Sequence, residues 1–426
     1  MRTAANAEAF KQEYARIEQE SVALYPITEL TQVITQGLIG LGVQNIHVYD
    51  NDENDIFPVP GFSKKEKKSN AQSFHAILQD YDATNTVNVM RTKPFPELAS
   101  YFQTKRHIIC QDHVHAYQDF GRKESFILTQ NGHQTRMRFL EKNSPSAQYL
   151  QTMSHQLTPP DLAVQYCMGA TVLDEIRKKN IPFQNEYHLQ QGHSISFNPY
   201  AQLFDGHSCT RLAKDLGNVL IIGAGGIGTY CAASLSRDTR SKITVIDFDK
   251  VEESNLNRQI LYTRHVGKPK VQALAQELSN ITPVQAKLTK SNFGDFSNFD
   301  LIFCCTDTVA SRKIASELAS TYSIPLIEGS CNTTVGMITS YLPNKTPTLS
   351  EQRKLHLHKD QPRRQQRTQS CARQVNPSVI IPNMFIGAAM TLLARQRTTT
   401  NNPITPEFMF SYTPFEKRKL RYTKWN

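Results

Sequence analysis

A glycine-rich segment in the second half of the chain constrains the fold more than any other feature. The apolar residues 219–222 lead into Gly223-Ala-Gly-Gly-Ile-Gly228, and a second apolar run, residues 243–246, ends on Asp247. A Gly-x-Gly-x-x-Gly pattern between a strand and a helix is typical of Rossmann-like folds, which bind the phosphates of a nucleotide at this turn. The sequence therefore predicts an α/β fold with a nucleotide at the turn.

Each glycine of this turn has a predicted task. Gly223 permits the tight turn, Gly225 lets backbone amides approach a phosphate, and Gly228 lets the helix pack against the strand. Gly226 belongs to the same phosphate-contacting turn, and the helix that follows offers free N–H groups and a partial positive charge to an anion. Asp247 lies 19 residues beyond Gly228, where an acid binds a ribose hydroxyl.

Charged residues follow the strands that would flank the nucleotide. Arg258 and Lys270 form a cationic pair suited to holding a triphosphate and neutralising a departing pyrophosphate. Asp307 follows the apolar residues 301–305 and is expected at the carboxyl end of a strand, where it can hold Mg²⁺. An NAD(P)- or FAD-dependent oxidoreductase is the alternative, but it leaves these three residues unexplained. A non-catalytic nucleotide-binding scaffold is a further alternative.

Four separated motifs occur in a characteristic order and spacing. They are Asp247-Phe-Asp249, Ser254-Asn-Leu-Asn-Arg-Gln259, Val266-Gly-Lys-Pro-Lys270, and Cys305-Thr-Asp307 with Arg312. Together they resemble the ThiF/MoeB/HesA family, the bacterial branch of the ubiquitin-activating-enzyme fold, over about residues 215–343. The resemblance implies ATP- and Mg²⁺-dependent adenylation of the C-terminal carboxylate of a ubiquitin-like protein or peptide. A peptide-modifying adenylase of antibiotic biosynthesis is a second option within the same branch.

The resemblance assigns roles to individual residues. Asp247 would bind the ribose, Arg258 and Lys270 would hold the triphosphate with Asn255 beside them, and Asp307 would bind Mg²⁺. The full set of expected nucleotide-binding residues is Gly223, Gly225, Gly226, Gly228, Asp247, Asp249, Asn255, Arg258, Gln259, Lys270 and Asp307.

The first half of the chain carries similar landmarks in the same order. Residues 37–42 (Gly-Leu-Ile-Gly-Leu-Gly) precede residues 46–50, an apolar run that ends on an acid. That acid lies 62 residues before Asp112, and Asp247 lies 60 residues before Asp307. The predicted architecture is therefore two Rossmann-like ThiF-type repeats, in residues 1–205 and 206–426. Chance similarity between two generic α/β units is the alternative.

The first repeat is predicted to be degenerate and inactive, because it lacks both the full glycine turn and the Asn-x-x-Arg-Gln pattern. Related enzymes that pair an inactive with an active half take an arginine from the N-terminal helix of the inactive half into the ATP site. Arg16, in the segment Glu13-Tyr-Ala-Arg-Ile17, is the corresponding candidate. The alternative is that Arg16 is an exposed residue on an amphipathic helix.

The resemblance also places a crossover loop over the substrate tail at about residues 344–373. This region contains Cys371, and in thioester-forming members of the family a cysteine near this point attacks the acyl-adenylate. Neighbouring arginines would lower the pKa of the thiol and favour the thiolate. Cys371 is therefore the candidate nucleophile, and an inert loop cysteine is the alternative.

Composition narrows the cellular setting. No apolar run reaches about 18 residues and the N-terminus has no signal region, so we expect a cytoplasmic protein without a membrane span. The longest run, residues 379–393, contains Pro382 and Asn383 and better fits a buried helix. The eight cysteines include no Cys-x-x-Cys pair, so no structural zinc is expected. The net charge of +10 is spread out, so nucleic acid is not an expected partner, and a homodimer is left open.

Overall fold

The computed structural model of the chain describes two compact units. The described residues are 15, 17, 19–25, 27–50, 59–60, 86–91, 106–110, 124–131, 134–140, 161–178, 194–197, 211–331, 336–357, 379–397, 408–412 and 420–424. The first unit comprises Met1–Pro160 with Met168–Pro199, and the second comprises Asp161–Cys167 with Tyr200–Asn426.

The first unit is built on a seven-stranded sheet with the order β3-β2-β1-β4-β5-β6-β7. The first five strands in this order run parallel, and the pairs β5/β6 and β6/β7 are antiparallel. The elements, in chain order, are β1 (Ser21–Tyr25), α1 (Glu29–Leu41), β2 (Asn45–Asp50), β3 (Thr86–Arg91), β4 (Arg106–Cys110), β5 (Glu124–Asn131), β6 (Gln134–Leu140), α2 (Leu162–Lys178) and β7 (Ser194–Phe197). The first turns of α2, up to Cys167, belong to the second unit.

The second unit is built on an eight-stranded sheet with the order β11-β10-β9-β12-β13-β14-β16-β17, and a small pair β8/β15 lies apart from it. The first five strands in this order, from β11 through β9 to β13, run parallel. The pairs β13/β14, β14/β16 and β16/β17 are antiparallel. The strands are β8 (Arg211–Leu212), β9 (Asn218–Ile222), β10 (Lys242–Ile246), β11 (Ile281–Val284), β12 (Leu301–Cys304), β13 (Leu326–Cys331), β14 (Gly336–Tyr341), β15 (Gln396–Arg397), β16 (Phe408–Tyr412) and β17 (Leu420–Lys424).

Among the described residues of this unit, five α-helices connect or cover these strands, and short 3₁₀ turns lie between them. The helices are α3 (Gly226–Asp238), α4 (Lys270–Glu277), α5 (Val309–Thr321), α6 (Leu349–Gln352) and α7 (Ile380–Arg395), and the 3₁₀ turns are Glu253–Asn255, Ile260–Tyr262, Lys290–Phe296 and Leu355–Leu357. Because β9 has β10 on one side and β12 on the other, the chain reverses its direction of winding between β9 and β12. In open α/β sheets, ligands bind at the carboxyl ends of strands at such a reversal.

Over seven strands the two sheets have the same strand order and the same pattern of parallel and antiparallel pairs, and the second sheet has β17 in addition. In each sheet, the first strand in chain order is central, the next two strands extend the sheet to one side, and the later strands extend it to the other. A mixed α/β fold with a mainly parallel sheet is confirmed. The division into two repeats of one family stays a prediction and is taken up under the proposed function.

One sequence landmark of the first unit has a different place from the expected one. Residues 37–42 lie at the C-terminal end of α1, where Gly42 closes the helix with φ 86° and donates its N–H to the Ile39 carbonyl at 3.0 Å. The helix starts instead at Thr28, whose hydroxyl accepts the N–H of Thr31 at 3.2 Å. The glycines of residues 37–42 are therefore not a counterpart of the glycine turn, because they end a helix rather than begin one.

The helix α7 confirms the expectation of a buried apolar helix at residues 379–393. All 16 of its residues are buried, and it packs against α3 and the sheet. A helix that is apolar on every side is stable only when neighbouring elements surround it. Gly387 makes the close approach possible, because a Cβ at this position would lie 2.5 Å from the Ile227 carbonyl oxygen. Among the described residues, no helix combines the length and apolarity needed to cross a bilayer.

Candidate nucleotide-binding site

The turn after β9 is fixed by Gly223, which has φ +99°, in the left-handed region that favours glycine. Its N–H donates to the Ile246 carbonyl at 2.9 Å, which ties the end of β9 to the end of β10. A Cβ on Gly223 would lie 2.9 Å from the Cys305 carbonyl oxygen, in the segment that follows β12. The turn therefore touches the ends of both neighbouring strands, and no larger residue fits.

The other glycines of the turn differ in what surrounds them. A Cβ on Gly228 would overlap the carbonyl oxygen of Gly223, and a Cβ on Gly226 would overlap the side chain of Asn383 in α7. Packing against the backbone thus requires glycine at residue 228, whereas at residue 226 the Asn383 side chain would have to move. A Cβ on Gly225 would meet nothing within 4 Å. Open space at this position is the property that a closely approaching phosphate requires.

The N-terminus of α3 opens onto the same place. Gly225 is the N-cap of the helix, and no side chain caps the amides of its first turn. Such amides, with the partial positive charge of the helix dipole, favour an anion. The open space beside Gly225 and the uncapped helix together fit the phosphates of a nucleotide.

Asp247 holds the turn from the end of β10. Its Oδ2 accepts the N–H of Ala224 at 2.8 Å, and its Oδ1 accepts the N–H of Asp249 at 2.7 Å. Burial raises the pKa of Asp247, while Lys270 and the two backbone amides oppose this shift. A carboxylate oriented by two amides keeps further lone pairs on each oxygen, which can accept ribose hydroxyls.

Lys270 is brought beside these acids by its own backbone. Its N–H donates to the Asp249 carbonyl at 2.9 Å, and its Nζ lies 3.5 Å from Asp249 Oδ2. The residue is the first of α4 and is only 6% exposed. A nearly buried lysine beside Asp249 and Asp247 is a fixed positive charge close to the end of β10.

The segment between β10 and α4 carries the predicted Asn255 and Arg258. Asn255 is buried, and its Oδ1 accepts the N–H of Glu252 at 3.1 Å. Arg258 Nη1 donates to the Ser254 carbonyl at 3.0 Å and to Asn257 Oδ1 at 2.8 Å. These bonds fold the Arg258 side chain back along its own segment, so that the guanidinium is held rather than extended into solvent.

Two buried polar atoms in this segment have no hydrogen-bond partner among the described residues. They are Oε1 of Gln259 and Nδ2 of Asn257, in side chains that are 2% and 1% exposed. An unpaired buried polar atom costs about 1–3 kcal/mol, so such atoms normally have a ligand or water as partner. Asn257 was not among the residues predicted from the sequence, although it lies between the predicted Asn255 and Arg258.

Tyr262 is a second residue that the sequence did not indicate. It is fully buried, and its hydroxyl donates to the Ala224 carbonyl at 2.9 Å, directly behind the glycine turn. Burial raises the pKa of this phenol, which therefore stays protonated and keeps donating. The only sequence signal was its place, three residues after Gln259.

Asp307 lies just beyond β12, at the carboxyl end of the sheet. Cys305 donates its N–H to the Ile222 carbonyl at 2.8 Å, which holds this segment against the end of β9. Thr308, and not Asp307, caps α5, since the Thr308 hydroxyl accepts the N–H of Ser311 at 3.1 Å. The exposed Asp307 carboxylate is thus not used as the helix cap.

The exposed carboxylate of Asp307 is a ligand of the kind that binds Mg²⁺. Within the part of the chain that the structure describes, no group of three or more His, Cys, Asp and Glu side chains could enclose a metal ion. Mg²⁺ is usually bound by one or two carboxylates, with waters and substrate phosphates completing its octahedron. An exposed carboxylate two residues beyond Cys305, whose N–H is bonded to the end of β9, fits that pattern.

The described cysteines near the site are poor nucleophiles. Burial raises the pKa of Cys304 to about 11, and the side chain of Cys231 and burial together raise that of Cys305 well above its ordinary value. Because the thiolate is the reactive form, neither thiol would attack an acyl-adenylate near neutral pH. The predicted Arg16 and Cys371 lie outside the described residues, as do residues 358–373 of the expected crossover loop.

Comparisons with known proteins were made for the whole chain. The sequence profile of the ThiF family matches residues 200–423. The chain is 35% identical over 136 residues to the adenylyltransferase and sulfurtransferase UBA4 of Yarrowia lipolytica, in a segment covering 30% of this chain and 34% of that protein.

Two bacterial proteins are also similar. Over 162 residues the chain is 34% identical to the molybdopterin-synthase adenylyltransferase of Haemophilus influenzae, covering 36% of this chain and 65% of that protein. Over 146 residues it is 35% identical to the protein of the same name from Escherichia coli, covering 32% of this chain and 57% of that protein. The chain thus spans about a third of the fungal relative and less than two thirds of each bacterial one.

Proposed function

The chain belongs to the ThiF family, and from that premise we propose that it adenylates the C-terminal carboxylate of a ubiquitin-like protein or peptide, using ATP and Mg²⁺. The observation that carries this proposal is the open space at Gly225, with Asp247 bonded to the neighbouring Ala224 and Lys270 held beside Asp249. Asp307 lies two residues beyond Cys305, whose N–H is bonded to the end of β9. Adenylyltransferase is also the activity named for all three relatives.

The position of Lys270 favours adenylation over the oxidoreductase alternative. A ribose acid and a glycine turn suffice for a dinucleotide, which does not call for a nearly buried lysine next to them. An adenylating enzyme must hold a triphosphate and stabilise pyrophosphate as it leaves. Lys270 can exchange its ion pair with Asp249 for one with a phosphate without leaving the crevice, since its backbone is fixed there.

In the proposed reaction, a carboxylate oxygen of the tail attacks the α-phosphorus of ATP, and the bond to the bridging oxygen of pyrophosphate breaks. Asp247 orients the ribose, and the amides that open α3 hold the phosphates. Lys270 and Arg258 balance the negative charge that builds on the leaving group. Mg²⁺, when bound at Asp307, would supply further charge neutralisation. The chain thus contributes mainly positioning and electrostatics.

We include in this proposal the two-repeat organisation, with a degenerate repeat in residues 1–205 and an active one in residues 206–426. Its support is the shared strand order of the two sheets and the corresponding places of α2 and α7, each between the sixth strand of its sheet and the next. Thr28 caps α1 where the second unit has its glycine turn, so the first unit lacks the open phosphate site.

The remaining parts of the proposal concern residues and partners that stay predictions. Arg16 would reach the triphosphate from the first repeat, and Cys371, in the crossover loop of residues 344–373, would accept the acyl group as a thioester. The partner would carry a free C-terminus, in a cytoplasmic setting, and a homodimer stays open. A peptide-modifying adenylase would differ only in its acceptor.

Exchange of labelled pyrophosphate into ATP tests this proposal. We expect exchange with an acceptor protein that has a free C-terminal carboxylate and none with the same protein amidated at its C-terminus. The amidated acceptor is a matched control because it keeps every contact except the attacking oxygen. Equal exchange with both forms would contradict adenylation of the C-terminus.

A further inference from the structure

A charged cluster surrounds Glu328 on β13, the strand next to β12, which Asp307 follows. Glu328 is 0% exposed and lies beside Cys304 in the parallel pair of β12 and β13. Its Oε1 lies 3.1 Å from Arg312 Nε, and its Oε2 lies 3.7 Å from Arg353 Nε. The two arginine side chains are 16% and 17% exposed, so one buried carboxylate is shared by two nearly buried cations.

Stability alone does not account for this cluster. Neither carboxylate oxygen of Glu328 accepts a hydrogen bond from the described part of the chain. Removing charges from water is costly, and ion pairs without further hydrogen bonds recover that cost poorly, so apolar residues in their place are often at least as stable. The fully buried acid on β13 therefore has a reason other than core packing.

The first arginine of the cluster, Arg312, lies five residues after Asp307 in the sequence. Arg312 lies in the first turn of α5, and its N–H donates to the carbonyl of Thr308, the N-cap, at 3.1 Å. Asp307 directly precedes that cap. Because Cys305 is already held against β9, the ion pair of Arg312 with Glu328 fixes the other side of a three-residue segment. The direction of the Asp307 carboxylate depends on both ends of this segment.

The second arginine of the cluster, Arg353, contacts a different part of the unit. Arg353 follows α6, where its Nη2 donates to Ser330 Oγ at 2.8 Å and its Nη1 contacts Met337 Sδ at 3.2 Å. These contacts attach the end of α6 to β13 and β14 without passing through α5. The two arginines thus share one carboxylate but hold different parts of the unit.

We propose that Glu328 is a positioning residue that, through Arg312, holds Asp307 in the orientation that binds the Mg²⁺ of bound ATP. This inference rests on the proposed function, since it takes Asp307 as the metal-binding residue. Residues that orient a metal ligand change metal affinity when removed, although they do not touch the ion. Arg353 is the second cation beside the same carboxylate and has no part in metal binding.

Calorimetric titration of the full chain with ATP, once with Mg²⁺ and once with EDTA, gives two dissociation constants. Their ratio is the gain in ATP affinity from Mg²⁺. We expect Arg312→Met to reduce the gain from Mg²⁺ on the order of tenfold, as Asp307→Ala does, with little change in EDTA. Arg312→Met should fold, because Glu328 keeps Arg353 as its partner. Glu328→Gln should act in the same direction.

Arg353→Met is the matched control, because it removes an arginine from the same carboxylate but leaves the Arg312 pair. We expect it to keep the full gain from Mg²⁺. An unchanged gain in Arg312→Met, or an equal loss in Arg353→Met, would overturn the positioning role. A wild-type chain that does not bind ATP, or gains nothing from Mg²⁺, would instead overturn the proposed function itself.

Discussion

The Nζ of Lys270 lies 3.5 Å from Oδ2 of Asp249, and the backbone N–H of the same lysine donates to the Asp249 carbonyl. Residues 21 positions apart in the sequence are therefore joined twice, at the place where β10 ends and α4 begins. The double link fixes a positive charge beside Asp247. This charge is central to the proposed handling of the triphosphate.

Replacing Lys270 by glutamine should weaken ATP binding much more than AMP binding. The lysine is expected to contact phosphates that AMP lacks, and a hydrogen bond to a charged group contributes about 1.5–3 kcal/mol, or roughly a tenfold or larger change in affinity. Titration calorimetry with both nucleotides measures the difference. Lys268→Gln, a change in the exposed neighbour whose Nζ contacts Gln276 and His265, is the control. Equal losses for ATP and AMP would argue against a phosphate contact.

The glycine turn offers a matched pair of alanine substitutions. Gly225→Ala should leave the free energy of unfolding within about 0.5 kcal/mol of wild type, because the new methyl group meets nothing within 4 Å, but it should weaken ATP binding. Gly228→Ala should cost about 1–3 kcal/mol of stability, because its methyl group would overlap the Gly223 carbonyl oxygen.

Denaturant unfolding and ATP titration of both variants separate the two effects. Unaltered ATP binding by Gly225→Ala would mean that no phosphate approaches this turn. If Gly225→Ala lowered the free energy of unfolding as much as Gly228→Ala does, the turn would have no room for a methyl group at residue 225.

Two structural roles in the glycine turn could be predicted from the sequence. Gly223 and Gly228 were expected to allow a tight turn and a close helix, and the left-handed φ of one and the packing of the other confirm this. Such roles are local, since they follow from the spacing of a few residues between a strand and a helix. Residues 37–42 were matched wrongly, because glycine content alone does not distinguish the end of a helix from its start.

The contacts of Glu328 could not be predicted from the sequence, because they depend on how separate elements pack. Arg312 and Arg353 lie 16 and 25 positions away from it, and they meet only because α5 and α6 pack beside β13. In the sequence, Glu328 is an isolated acid in an apolar strand. Asn257 and Tyr262 were missed similarly, because the burial of a polar group is a property of the packed protein.

A second buried cluster links the end of α3 to the start of α2. Asp238 accepts the N–H groups of Leu162 and Ala163 at 2.8 and 3.0 Å. Arg395 Nη1 lies 3.3 Å from Asp238, and Arg395 Nη2 lies 3.1 Å from Asp161. Burial, with the charge of Asp161, raises the pKa of Asp238 to about 7, while Arg395 and the two amides oppose the shift.

The raised pKa of Asp238 predicts that the free energy of unfolding falls as the pH rises from about 4 to about 7. The pKa of Asp238 is about 7 in the folded chain, and an unfolded aspartate titrates near about 3.9, so between these values the folded state binds the extra proton. Linkage then gives a loss of unfolding free energy with rising pH, of at most about 1.4 kcal/mol per pH unit.

Asp238→Asn should remove most of this slope between about pH 4 and pH 7. Urea unfolding at several pH values measures it, with Asp295→Asn, a change at an exposed aspartate, as the control. A slope in Asp238→Asn that equals that of wild type would show that another group is responsible.

Cys371 separates two routes from the acyl-adenylate. If it forms a thioester, wild-type protein incubated with ATP and its acceptor should gain an adduct that thiol reductants cleave, as seen by intact-mass spectrometry. Cys371→Ala should lose the adduct but keep pyrophosphate exchange, because adenylation precedes thiol attack. Product formation by Cys371→Ala at the wild-type rate would instead mean that the adenylate passes directly to another nucleophile.

Thermal unfolding of the wild-type chain with separate ligands tests the central claim, a site for ATP with Mg²⁺ in the second unit. We expect ATP with Mg²⁺, at about 100 times its dissociation constant, to raise the free energy of unfolding by about 2.7 kcal/mol. NAD and FAD at the same concentration should have little effect, because Lys270, Arg258 and Asp307 are suited to a triphosphate and its metal. A clear stabilisation by NAD or FAD with none by ATP would contradict the account.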